Sequence, residues 1–241
     1  MDGIKSRSRV QEHGEVFTPD SIVNDMIDLV DSELNKENLW GYIDKTWLEP
    51  ACGNGNFLIR ILDRKLEAVQ KLPKEQWVIG LLHSVSTIYG VDIQYDNVEE
   101  SKERMLQLIK EGSVEVLELP DKKKQEFHFE KFTLDDELEG VIKSILNKNI
   151  QQGDALTGKK WDKFKESNQD DSLLITEYIW KGEEVALNEI PLNHLQESSV
   201  MFNVPVMSYP SKHYSELKQS ENKTRRQRNK NRQVTEEVDD F

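Results

Sequence analysis

The sequence has a single cysteine in 241 residues, Cys52, which excludes an intramolecular disulfide. No run approaches the roughly 20 apolar residues that span a bilayer, and the opening MDGIKSRSRV lacks the apolar centre of a secretory signal. The five histidines (His13, His83, His128, His194, His213) are scattered without metal-ligand spacing, so they read as surface or packing residues. These absences predict a soluble, cytoplasmic protein with neither a membrane nor a metal partner.

Positive charge is also in short supply. Charged residues make up 32% of the chain and the net charge is -13. Residues 211–241 carry eight Lys/Arg and six Asp/Glu, which leaves 24 basic and 39 acidic residues in the first 210, a net -15. A body so acidic repels a phosphate backbone in general, so if DNA is bound, something else helps to hold it. The length suits one α/β domain, predicted over 1–210. The part from 211 on, with basic and acidic blocks and few apolar residues, reads as a disordered charged tail.

Along the body, helical and strand-like segments alternate. Ile22, Val23, Met26, Ile27 and Val30 recur at helical spacing, with Thr18 as N-cap and Pro19 at the first helical position, and the helix is expected to run to about residue 34. Further helices are expected at 57–69, 74–85, 96–109 (Asp96 capping, Glu99 three residues on) and 133–146, with an extended insertion at 111–132. Strand-like runs fall at 46–50, 87–93 and 149–156. Strands alternating with helices predict an α/β fold with a doubly wound, mostly parallel sheet. A hairpin is expected from 172–180 and 183–190 around Lys181-Gly182.

The most informative stretch is Thr46-Trp-Leu-Glu-Pro-Ala-Cys-Gly-Asn-Gly-Asn-Phe-Leu58, a strand that turns through two spaced glycines into a helix. Glycines let the backbone approach a ligand, and a helix N-terminus turns unpaired N–H groups toward it, the device of nucleotide-like cofactor sites. Two later strands end in acids, at Asp92 and Asp154. The 39 residues from Gly53 to Asp92 exceed the roughly 20 of a minimal dinucleotide-binding unit, which disfavours NAD. Cys52 reads as a small residue in a tight loop, since nothing nearby lowers its pKa.

Together, Gly14-Glu-Val-Phe-Thr-Pro19, residues 48–58, 90–93 and Gly153-Asp154 resemble the amino-terminal half of the S-adenosylmethionine-dependent N6-adenine DNA methyltransferases, including the methylase subunits of restriction-modification systems. The match covers residues 10–160. It implies a Rossmann-like class I methyltransferase fold with S-adenosyl-L-methionine as cofactor. By the resemblance, Glu49, Pro50, Gly53, Gly55 and Phe57 form the loop against the methionine half, and Phe17, Thr18 and Pro19 close that end. Asp92 accepts from the ribose hydroxyls, Ile93 walls the adenine ring, and Asp154 with Ala155 meets the adenine amino group.

The family's Asn-Pro-Pro-Tyr-like turn, which holds the target adenine and stacks on it, is missing. By position, a fourth strand at 173–176 puts Glu177 and Trp180 where that turn belongs, as acceptor and stacking residue. The later Asn203-Val-Pro-Val206 keeps the amide and one proline but no aromatic. The equally simple reading of 174–180 is a half-buried strand. The sequence therefore predicts a DNA adenine-N6 methyltransferase acting alone or with a specificity or second methylase subunit. Its rivals are a non-catalytic S-adenosylmethionine-binding partner module and a methyltransferase of another planar amide or amine.

Overall fold

A computed structural model describes residues 5–13, 16–31, 38–115, 124–127, 129–160, 172–193 and 207–217. The chain is mixed α/β. Its main sheet has four strands in the order β1 (Trp47–Glu49), β2 (Ile88–Asp92), β5 (Ile150–Asp154) and β6 (Lys159–Lys160). The first three are parallel, and β6 is an antiparallel addition at the edge. β2 is buried along almost its whole length, as its unbroken apolar run requires of a central parallel strand.

The helices form where the apolar periodicity predicts them. α2 (Asp20–Asp31), α4 (Asn56–Val69), α5 (Trp77–Ser86), α6 (Tyr95–Glu111) and α7 (Asp136–Asn149) join the short α1 (Arg7–His13) and α3 (Leu39–Ile43). Ile59, Leu62, Leu66, Met105, Leu108, Ile142 and Ile145 pack with Ile88 and Ile150 into one core. Asp135 rather than Thr133 caps α7, accepting from the Leu138 N–H at 2.8 Å. Asp96 does not cap α6: the helix already begins at Tyr95, and the Asp96 carboxylate is taken by Arg9 and Lys5. The predicted insertion folds partly as an antiparallel pair, β3 (Ser113–Glu115) with β4 (Lys124–Glu126).

The largest departure concerns the fourth strand. β7 (Leu174–Lys181) does not extend the parallel sheet. It pairs antiparallel with β8 (Glu184–Pro191), around a turn in which Gly182 has φ +62°, and β8 pairs with β9 (Met207–His213). The 172–190 hairpin is thus as expected, but as a separate three-stranded sheet. It covers the face of the parallel sheet that carries Tyr89 and Val91, which pack with Leu173, Ile175 and Leu192. Tyr89 seals the contact by donating to the Thr176 carbonyl at 2.7 Å. β9 and a 3-10 turn at Tyr214–Glu216 also carry the folded body past residue 210, and Leu217 is buried in the core. Residues 211–217 of the expected tail are thus part of the folded body, and residues 218–241, like those at 203–206, lie outside the described residues. No described helix is long and apolar enough to cross a membrane.

Lys65 has no exposed surface, although a lysine is rarely buried without partners. Its Nζ donates to the carbonyls of Ile43 (2.6 Å) and Lys45 (2.5 Å) and to Oγ1 of Thr87 (2.5 Å), fastening α4 to the chain that enters β1 and to the start of β2. Burial pushes its pKa down to about 7, against a smaller opposing pull from Asp44. Replacing it by methionine leaves the buried Ile43 carbonyl and the part-buried Lys45 carbonyl without that donor, and urea unfolding of Lys65→Met is expected to show a loss of about 1–3 kcal/mol. The pH sign also follows: above pH 7 the unfolded chain holds a proton that the folded one has released, so wild-type stability relative to Lys65→Met rises from about pH 7 into the ordinary lysine range. A pH-independent difference between the two proteins argues against the assignment.

Candidate functional site

A cavity of about 480 Å³ opens at the carboxyl ends of β1, β2 and β5. Its wall takes Phe17 from the segment before α2, Pro50 and Gly53 from the loop after β1, Asp92 and Ile93 from the end of β2, and Asp154 and Ala155 from the end of β5. Crevices outside the carboxyl ends of parallel strands are where open α/β sheets bind ligands. Seven of the expected cofactor residues thus meet in one place although they lie up to 138 positions apart.

Asp92 organises the site. Its Oδ2 accepts from the Gly53 N–H at 3.0 Å, and its Oδ1 from the Gln94 N–H at 2.8 Å and the Asn97 amide at 3.3 Å. One carboxylate therefore ties the glycine loop to the start of α6. Gly53 sits at φ +53° with the Phe17 ring 3.3 Å from where a Cβ would stand, so both its conformation and its contact favour glycine. Gly55 (φ +92°) precedes α4 and lies against Ser101, whose Oγ would be 3.0 Å from an added Cβ.

The loop N–H groups are not presented to a ligand in the way the sequence pattern predicts. Those of Ala51, Cys52, Gly53 and Gly55 donate to the Glu49 carboxylate, the Val91 carbonyl, Asp92 and the Cys52 carbonyl. Two carboxylates and no Lys or Arg line the cavity. A zwitterion or cation suits such a wall; a pyrophosphate, which wants free N–H donors, does not.

The remaining expected cofactor residues stand behind this wall. Glu49 bonds Ala51 at 3.1 Å, and its burial raises its pKa. The Thr18 carbonyl accepts from the Asn56 amide at 3.0 Å, and Pro19 accepts the first helical bond of α2, from Val23. Phe57 is half-buried against the core. Val16, Ala51 and Gly153, which belong to the sequence motifs, also line the cavity, as do Gln94, Asn97 and Leu156, which no motif included. Asn97 carried a readable signal, since it lies in the first turn of the helix that starts behind a strand-end acid. It is buried, and its Oδ1 accepts from Lys5 at 2.7 Å. Lys5 also pairs with Glu100 at 2.6 Å, and with Arg9 it drives the Asp96 pKa down to about 2.

Glu177 and Trp180 do not join the cavity. Glu177 is exposed and accepts from the Asn188 amide of β8 at 2.8 Å. The Trp180 indole N–H donates to Oγ of Ser86 at 3.0 Å, and its ring stacks on His83 with centroids 5.0 Å apart. Ser86 precedes β2 whereas Asp92 ends it, so Trp180 sits on the order of 20 Å from the cavity, at the other end of the strand. The positional argument failed because it took β7 as a parallel strand, and an antiparallel hairpin strand carries its later residues away from the strand ends. Cys52 is buried in the loop with its thiol pushed up by burial, the state of a packing residue.

No group of three or more His, Cys, Asp or Glu among the described residues is placed to hold a metal ion. No protein-family model matches the chain, and no curated protein matches it. Trp180→Ala is expected to lower stability by about 2–4 kcal/mol, as large aromatic deletions do, while leaving ligand affinity at the cavity unchanged. Thermal melting beside calorimetric titration checks both halves, and an altered affinity with an unchanged melting temperature overturns this placement.

Proposed function

We propose that the chain is an S-adenosylmethionine-binding protein of the N6-adenine DNA methyltransferase type, with a Rossmann-like sheet, which methylates adenine in DNA alone or with a partner. The observation that carries this reading is the convergence of Phe17, Gly53, Asp92, Ile93 and Asp154 on one cavity at the ends of three parallel strands. The motif resemblance supplies the identity of the ligand, and the wall chemistry agrees with it: no Lys or Arg lines the cavity to meet the pyrophosphate of a dinucleotide, and S-adenosylmethionine carries no phosphate.

In this reading Asp92, already oriented by three donors, accepts from the ribose hydroxyls. Ile93 and Ala155 provide apolar surface for the adenine ring, Asp154 accepts from its amino group, and Phe17 closes the methionine end. Bound there, S-adenosylmethionine supplies an activated methyl group for in-line transfer to the exocyclic nitrogen of adenine. Such transfer needs positioning and a hydrogen-bond acceptor more than a strong base.

The second reading, a cofactor-binding partner module without catalysis of its own, is favoured by one observation. Neither Glu177 nor Trp180 lines the cavity, so neither supplies the target-base contact. Labelled cofactor incubated with the purified chain and unmethylated DNA separates the two: transfer to adenine supports the first, and cofactor binding without transfer supports the second.

Calorimetry is expected to show S-adenosylmethionine binding and no NAD binding. Asp92→Asn should weaken the cofactor by about 10- to 100-fold, the 1.5–3 kcal/mol typical of a lost charged hydrogen bond. Unchanged affinity in that variant, with its folding verified by thermal melting, removes the basis for the pocket assignment.

A further inference from the structure

The parallel sheet is incomplete on the side where the cavity most needs a wall. β1 is the first strand of the chain yet lies at the sheet's edge, with every later parallel strand to one side of it. Ligand crevices in open α/β sheets form where strand order reverses, between a first strand and a neighbour on its other flank. Among the described residues no strand occupies that flank. Leu48, in the middle of β1, is 41% exposed, whereas strands of a parallel sheet are ordinarily covered on both faces.

α2 shows the same deficit. Of its six apolar residues only two are buried. Val23 and Ile27 point into the core, while Ile22, Met26, Leu29 and Val30, at helical spacing, are 48, 49, 76 and 50% exposed. A helix this apolar on its outer side is normally covered. α2 packs on α4, the helix that follows β1, and the Val16–Phe17 segment leading into α2 shares the cavity wall with Pro50 and Ala51, which follow β1. The helix that carries the stripe and the strand edge thus both adjoin the part of the cavity wall that follows β1.

We infer that this side docks a different polypeptide, which adds a strand parallel to β1, lays an apolar face on Ile22, Met26, Leu29 and Val30, and carries Lys or Arg at its rim. Charge selects against a second copy. Of the four Asp of α2, Asp20, Asp28 and Asp31 pair with Arg60 and Arg64 of α4, Asp25 lies beside the stripe, and the whole chain carries -13. Two-fold pairing of identical α2 stripes brings like charges together, and two-fold pairing of identical β1 edges is antiparallel and only three residues long. A basic partner meets neither obstacle, and strand addition satisfies the backbone groups of Leu48. That this partner completes the cofactor crevice and brings the target-adenine contact rests on the function proposed above.

The test uses the full chain in its native host, with the photo-crosslinking amino acid p-benzoylphenylalanine replacing Leu29, Leu48 or, as an exposed control, Ile179. Adducts are identified by mass spectrometry. Expected are adducts from positions 29 and 48 to one and the same different polypeptide, reduced on the order of tenfold or more by Ile22→Glu/Met26→Glu. The docking surface is overturned by adducts to the chain itself or to a second copy, to unrelated chains at the two positions, or at a level no higher than at Ile179, and equally by insensitivity to the double substitution. S-adenosylmethionine calorimetry on the double variant separates the two proposals: unchanged binding with lost adducts supports the surface, while adducts without any cofactor binding by the wild type retain the surface and remove the cofactor reading.

Discussion

The carboxylate of Asp92 is the constraint on which the site depends. It stands at the end of a buried parallel strand and accepts from the backbone of the glycine loop on one side and from the first turn of α6 on the other. Ser101 and Arg104 of α6 reinforce this link from the other side, donating to the carbonyls of Gly53 and Asn54. Asp92 itself lines the cavity, so the group that positions the loop is also part of the wall.

Around that anchor the polar interior is arranged as a set of fasteners. Lys65 closes the amino-terminal end of the sheet by three short hydrogen bonds, far from the cavity. Arg104 reaches across from α6 to the Asn54 carbonyl and the Asn56 side chain, fixing the start of α4. Lys5 and Arg9 fasten the amino-terminal segment to Asp96, Asn97 and Glu100 beside the cavity. Each fastener joins elements distant in sequence, and a buried donor left without its acceptors costs far more than an exposed pair gains.

The antiparallel sheet β7–β8–β9 takes a position that the sequence pattern assigns to the continuation of the parallel sheet. Its inward residues bury Tyr89 and Val91, and Trp180 lies in a stack with Tyr178 and His83 at the end opposite the cavity. The outcome is a crevice at the ends of three parallel strands, beside a β1 edge that no strand covers among the described residues.

Local chemistry was legible from sequence wherever one segment carries the whole signal: the apolar periods of α4 to α7, the strand-loop-helix run from 46 to 58, the acids at 92 and 154, and the hairpin turn at Gly182. These follow from backbone and side-chain preferences that act within a few residues. What only the tertiary structure decided is pairing and direction. Whether 174–181 runs beside β1 or folds back on 184–191 depends on which contacts bury more surface, and the alternation of Leu174, Thr176, Tyr178 and Trp180 is compatible with both. The number of apolar positions on α2 was likewise readable, but not which of them this chain buries, because burial belongs to the neighbours a helix finds and not to the helix itself.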